Sequence, residues 1–126
     1  MKRITKQQRM QVYEKYNGHC AYCGRLISYN EMQVDHLKPA RNYNKLPDEE
    51  IWSMENYMPA CRTCNHYKRA NSLDVFREMI QTIPDKLQRD SYIYRVGVIY
   101  GNVIPEPKKI KFYFEKIEEE ENEFTD

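Results

Sequence analysis

Two Cys-x-x-Cys pairs, Cys20/Cys23 and Cys61/Cys64, set the tightest limit on how this chain can fold. Thiolates are good ligands for Zn²⁺, and four of them from two short turns close a tetrahedral site with no open position. Gly24, directly after the first pair, lets backbone amides approach the second sulfur as a zinc knuckle requires. The stretch between the pairs exceeds the roughly 15–20 residues of a simple zinc ribbon. It leaves room for an inserted hairpin and loop, which is where Asp35-His36 lies. The competing reading is four reduced core cysteines at accidental spacing. A closed Cys₄ site is structural, so any chemistry belongs to the residues it brackets.

The chain of 126 residues suits one domain with a modest core. It is polar, with a mean hydropathy of -0.92, yet aromatics reach 13% and fall in periodic segments, as in a globular protein. The first nine residues contain no apolar signal region, and no run approaches a membrane span, so the expected location is the cytoplasm. Reduced thiols there favour zinc over disulfides. The net charge of +1 conceals a split: the acidic tail 115–126 carries -6, which leaves +7 on residues 1–114. A basic body suits a polyanion such as nucleic acid; a solvated surface is the bland alternative. The acidic tail reads as a frayed helix end or a solubilising segment.

Thr5-Lys6-Gln7-Gln8 has the form of a capping box, predicting an amphipathic helix to Tyr16 with a stop at Asn17-Gly18. Leu26-Ile27 and Met32 to Val34 are strand candidates joined as a hairpin, with Val34 the last buried residue before Asp35. A loop from Pro39 to Pro47 precedes a short helix from Asp48 to Met54, and Tyr57-Met58 is expected to be a strand ending at Pro59. Cys61 to Ala70 reads as helix. Asn71-Ser72 can cap another, whose Phe76, Met79, Ile80 and Ile83 form an apolar stripe before Pro84 ends it. One further helix is expected from about Asp85 to Tyr100, then a short strand over Ile110 to Phe114. The motif core spans about 17–70 and a helical extension about 71–114, within a single domain 1–126.

Imidazole is a suitable base near neutral pH, and carboxylate or amide oxygens suit a hard, hydrated ion such as Mg²⁺. Asp35 and His36 are adjacent, so on extended backbone their side chains diverge: one can hold metal while the other reaches water. Together, Cys20-x-x-Cys23, Val34-Asp35-His36, Asn56-Tyr57-Met58-Pro59-Ala60-Cys61 and Cys61-x-x-Cys64-Asn65-His66-Tyr67-Lys68 resemble the HNH endonucleases, the ββα-metal nucleases. The C-terminal portion also resembles small phage and prophage members. The family pattern departs here at Lys38-Pro39-Ala40-Arg41, where a Gly-rich loop is usual, and the shape of the substrate-facing loop is affected.

The resemblance implies an α+β domain built on a zinc-stapled ββα unit with an N-terminal helix, additional C-terminal helices and a short strand. It implies His36 as general base, Asp35 as a metal ligand, Asn56 as the brace that aims His36, and Asn65 as the second ligand. His66 is the alternative ligand, one residue later and about 100° around a helix. Lys68, one turn beyond Asn65, is expected to contact phosphate, along with Arg62, Arg69, Lys38 and Arg41. The implied cofactors are structural Zn²⁺ and catalytic Mg²⁺ or Mn²⁺, and the implied partner is nucleic acid, most simply double-stranded DNA, with no membrane. The competing function is a catalytically silent, zinc-stabilised nucleic-acid-binding module. His19, beside Cys20, is expected to be a surface histidine rather than a ligand.

Overall fold

The computed structural model describes residues 3–41 and 45–125, so part of the loop from Pro39 to Pro47 lies outside the described residues. The chain divides into two compact units, Met1–Leu73 with Lys111–Asp126, and Asp74–Ile110. No described helix is long and apolar enough to cross a membrane.

The first unit opens with helix α1, Lys6–Glu14, and its start is the expected capping box: the Thr5 hydroxyl accepts from the Gln8 amide while the Gln8 side chain accepts from the Thr5 amide. Val12 is the residue α1 buries. After the left-handed pair Asn17-Gly18, the chain runs out and back as a zinc-knuckle tongue. The Cys20 amide donates to the Arg25 carbonyl at 2.8 Å, and the Ile27 amide to Gly18 at 2.8 Å. Leu26-Ile27 therefore pairs backwards with 18–20, not forwards with 32–34 as the sequence suggests. The knuckle turn between the two cysteines brings residues 25–27 beside the segment they have just left.

Strands β1, Gln33–His36, and β2, Tyr57–Ala60, pair antiparallel with Asp35 opposite Met58 and His36 opposite Tyr57. Helix α2, Asp48–Ile51, precedes β2, and α3, Arg62–Lys68, follows it with Cys61 as its cap, completing the ββα unit. Two expectations need correction. Pro59 lies inside β2, opposite Val34, because a two-stranded sheet has free edges where a missing N–H costs nothing. Asp35, not Val34, is the buried residue of β1.

The expected strand at 110–114 does not form. The Tyr113 and Phe114 amides donate to the Tyr22 and Ala21 carbonyls, and the chain then enters helix α7, Tyr113–Thr125. The alternation there was a true sign of burial, since Phe112 and Phe114 are both buried, but their segment pairs with the knuckle rather than with a strand. The acidic tail is the body of α7. It packs back on the end of α1 through Tyr16, whose ring meets Phe114 with centroids 6.4 Å apart.

Burial, with Glu118 and Glu121 adding to it, pushes the Tyr16 hydroxyl up to about 12 from 10.0. The folded state thus holds that proton after the unfolded chain has lost it. The contribution is complete below pH 10 and disappears as pH rises through about 12. Thermal melts at pH 9 and pH 11 should show a smaller alkaline loss for Tyr16→Phe than for the native chain. Equal losses would detach Tyr16 from the stability of this corner.

The second unit carries most of α4, Leu73–Gln81, with α5, Ile83–Asp90, and α6, Tyr92–Ile99. Instead of one helix over 85–100, Ser91 divides two: it ends α5, and its hydroxyl accepts from the Tyr94 amide to start α6. Pro84 opens α5 rather than closing α4, as a proline in the first turn is free to do. Gly97 allows the chain after α6 to fold back, because an added Cβ would meet Val103 at 2.8 Å.

Candidate active site

The four cysteine sulfurs lie within 4.8 Å of one another, although they are far apart in sequence. Cys23 and Cys61 Sγ are 3.8 Å apart, close to the edge of about 3.8 Å that Zn–S bonds of about 2.3 Å give a tetrahedron. The Cys20 thiol is pulled down to about 4, chiefly by its hydrogen bond with Cys64, while the same contact pushes Cys64 upward. Sulfurs this crowded cannot all ionise without a cation among them, and the residues fit Zn²⁺. Arg25 adds an outer contact, its guanidinium 3.3 Å from both Cys23 and Cys61 Sγ. Gly24 is required at φ +81°, and an added Cβ would strike the Tyr113 ring at 2.9 Å. His19 is not among the clustered ligands. It is half-buried, stacked on Tyr113 and bonded to the Gly24 carbonyl.

The zinc cluster fixes the start of α3 against the end of β2, and this sets what α3 shows to β1. Asn65 and Lys68, three residues apart, occupy one face of the helix. Gln33 and Asp35, two apart, occupy one face of the strand, and the two faces meet. Asn65 Nδ2 donates to Gln33 Oε1 at 2.6 Å. Lys68 Nζ lies 3.0 Å from Asp35 Oδ2 and donates to the His36 carbonyl at 2.9 Å. Lys68 is wholly buried, which corrects its expected role: it has no surface to offer a phosphate. Instead it neutralises a buried carboxylate, and removing one partner of such a pair costs about 3–5 kcal/mol.

Tyr22 also reaches Asp35. Its hydroxyl donates to the same Oδ2 at 2.5 Å. Both donors therefore converge on one oxygen, and among the described residues Oδ1 accepts no hydrogen bond. Asn65 likewise uses its amide nitrogen inward, with no described donor on its oxygen. His66, the next residue, is exposed.

His36 points away from α3. Its ring packs edge-on against Trp52, 4.7 Å between centroids, and against Tyr57, its cross-strand partner, at 5.3 Å. Nε2 is buried without a hydrogen-bond partner among the described residues, an arrangement that costs about 1–3 kcal/mol unless a ligand completes it. Burial lowers the His36 pKa, Lys68 adding to the fall and Asp35 opposing it, so the ring is neutral and able to accept a proton at pH 7.

Asn56 is buried and ties together the segments on either side of the site. Its Oδ1 accepts from the Lys38 amide at 2.7 Å, and Nδ2 donates to the Lys38 and Ile51 carbonyls. Lys15 grips the same turn, its ammonium donating to the Met54, Glu55 and Tyr57 carbonyls. Among the expected phosphate contacts, Arg41, Arg62 and Arg69 are exposed, while Lys38 is exposed but paired with Glu50. Arg62 lines an open groove of about 520 Å³ together with Arg25, Asn30, Gln33 and Cys61.

Sequence reasoning did not single out Tyr22, Gln33, Trp52 or Lys15. Tyr22 had a signal, a large polar aromatic within the otherwise tight Cys-x-x-Cys turn. The others depend on which side chains the fold brings face to face.

The HNH endonuclease family model matches residues 20–71, a stretch that runs from the first zinc ligand to just past α3. Over residues 20–71 the chain is similar to the HNH endonucleases. The ββα order, the clustered cysteines and the family match agree on a metal-binding domain of nuclease type. No curated protein and no solved structure matches the chain.

Proposed function

We propose that this HNH protein is a cytoplasmic, metal-dependent endonuclease that hydrolyses phosphodiester bonds in double-stranded DNA. The observation that carries the reading is the division of labour along β1. Among the described residues, Asp35 turns to α3 with one oxygen held and the other uncommitted, while His36 turns the other way with an unpartnered, neutral imidazole nitrogen. In-line displacement at phosphorus asks for this arrangement, since the proton is removed on one side and charge on the leaving oxygen is met on the other. Asp35 Oδ1 and the Asn65 amide oxygen would hold the divalent ion, a hard oxygen pair suited to Mg²⁺ or Mn²⁺. When bound, that ion supplies charge stabilisation at the phosphate and the leaving oxygen.

His36 takes the proton from the attacking water. Asn56 holds residues 37–38 against α2 and so fixes the direction in which β1 delivers the imidazole. Arg62, in the groove beside Gln33, and the exposed Arg41 and Arg69 supply phosphate contacts, which make binding weaken with salt.

Asn65 is favoured over His66 because its side chain faces β1 and His66 is exposed. Asn65→Ala should lose Mg²⁺-supported plasmid cleavage, with partial rescue by excess Mn²⁺, while His66→Ala retains most of it. A dead His66→Ala beside an active Asn65→Ala would move the ligand by one residue. Full activity in both would place the metal elsewhere.

A further inference from the structure

The zinc knuckle and the proposed catalytic carboxylate are joined by one side chain. Tyr22 lies between Cys20 and Cys23, is 3% exposed, and donates its hydroxyl to Asp35 Oδ2 at 2.5 Å. Its ring is held edge-on by Phe112 and Phe114, with centroids 5.5 and 6.2 Å away. Its backbone is fixed on the same side, the Tyr22 carbonyl accepting from Tyr113 and the neighbouring Ala21 amide donating to Pro59 of β2. A phenol this constrained serves as a fixed donor, and the Asp35 carboxylate must orient to meet it.

We propose that Tyr22 is a positioning residue for the metal-binding carboxylate. With Lys68 it occupies Oδ2, restrains rotation of the carboxylate, and leaves Oδ1 for the metal ion. The zinc site thereby acts on the catalytic ion as well as on the fold, since the turn that Cys20 and Cys23 form is the mount for Tyr22. The inference rests on Asp35 being a ligand. It adds a residue outside the HNH signature positions and gives the knuckle a second task. Outer contacts of this kind, which orient a ligand without touching the metal, are commonly worth 10–100-fold in metal affinity.

The test is Mn²⁺ binding to the zinc-loaded protein without nucleic acid, followed by the electron paramagnetic resonance of free Mn²⁺. Tyr22→Phe should keep its zinc and its melting temperature near native and bind Mn²⁺ about 10–100-fold more weakly. Native Mn²⁺ affinity in Tyr22→Phe, with Asp35→Asn clearly weakened, would overturn the role of Tyr22 and leave the metal site standing. Native affinity in both variants would remove Asp35 from the site and the proposal with it. Should Tyr22→Phe fail to fold, the native protein supplies the answer. The Tyr22 hydroxyl proton should appear in its NMR spectrum as a downfield resonance protected from exchange, and should move on Mg²⁺ addition. A resonance indifferent to Mg²⁺, or none, would overturn the proposal.

Discussion

Cys61→Ser should abolish zinc binding and unfold the first compact unit. Cys61 is a zinc ligand by its place in the cluster and also the cap of α3, its sulfur accepting from the Cys64 amide. Structural zinc sites contribute an apparent ~10–16 kcal/mol of binding energy that is also folding energy. A small domain has about 5–15 kcal/mol of total stability, so the metal term is as large as the whole margin. Without the metal, α3 is left tied to the tongue at 18–27 by weaker contacts such as that of Arg25 with the Cys61 sulfur, and the Asn65 and Lys68 contacts to β1 weaken with it. Elemental analysis should give one zinc per native chain and none in Cys61→Ser, whose circular dichroism should show lost structure. Chelator should produce the same change in the native protein. Normal folding in a zinc-free preparation would remove the metal from the account of the fold.

His36→Ala should lower the cleavage rate by about 10²–10⁴-fold, the usual contribution of a general base. At 1.36 kcal/mol per tenfold this is about 3–5 kcal/mol of transition-state stabilisation. DNA affinity and Mn²⁺ binding should change little, because the imidazole faces away from Asp35 and Asn65. The effect on stability should be small for a specific reason. Truncation leaves a cavity beside Trp52 and Tyr57, which destabilises, but it also removes the unsatisfied Nε2, which relieves a cost of comparable size. Loss of rate with binding and melting temperature retained is therefore the expected pattern. A variant that unfolds would assign the ring a packing role, and one that cuts normally would remove it from the chemistry.

What was legible in the sequence is what local chemistry dictates. Metal-ligand spacing, the Thr5 capping box and the Asp35-His36 pair at a strand end all depend on residues a few positions apart, and each is where it was expected. What depends on tertiary pairing was read in the right pattern but for the wrong partner. Ile110 to Phe114 alternates like a strand because Phe112 and Phe114 are buried, yet the knuckle carbonyls, not a strand edge, take the amides of Tyr113 and Phe114. Lys68 was placed correctly on the face of Asn65, and that face turned out to be the one pressed against β1. A lysine buried with a carboxylate looks the same in sequence as one open to phosphate. Ser91 carried a cap signal that helical composition on both sides concealed. Tyr22 carried a signal in the knuckle turn, but its partner shows only once Asp35 is seen to turn inward.

The central claim is that the uncommitted Asp35 oxygen and the unpartnered His36 nitrogen belong to one hydrolytic site. Plasmid cleavage by zinc-loaded protein, with added Mg²⁺ or Mn²⁺ and beside His36→Ala, tests it most directly. The native chain should cut in a divalent-ion-dependent manner and the variant should lose nearly all cutting, with DNA binding intact in both. Tight binding to DNA without cutting of any nucleic acid under either ion would contradict it, and would leave a zinc-stapled binding module in its place.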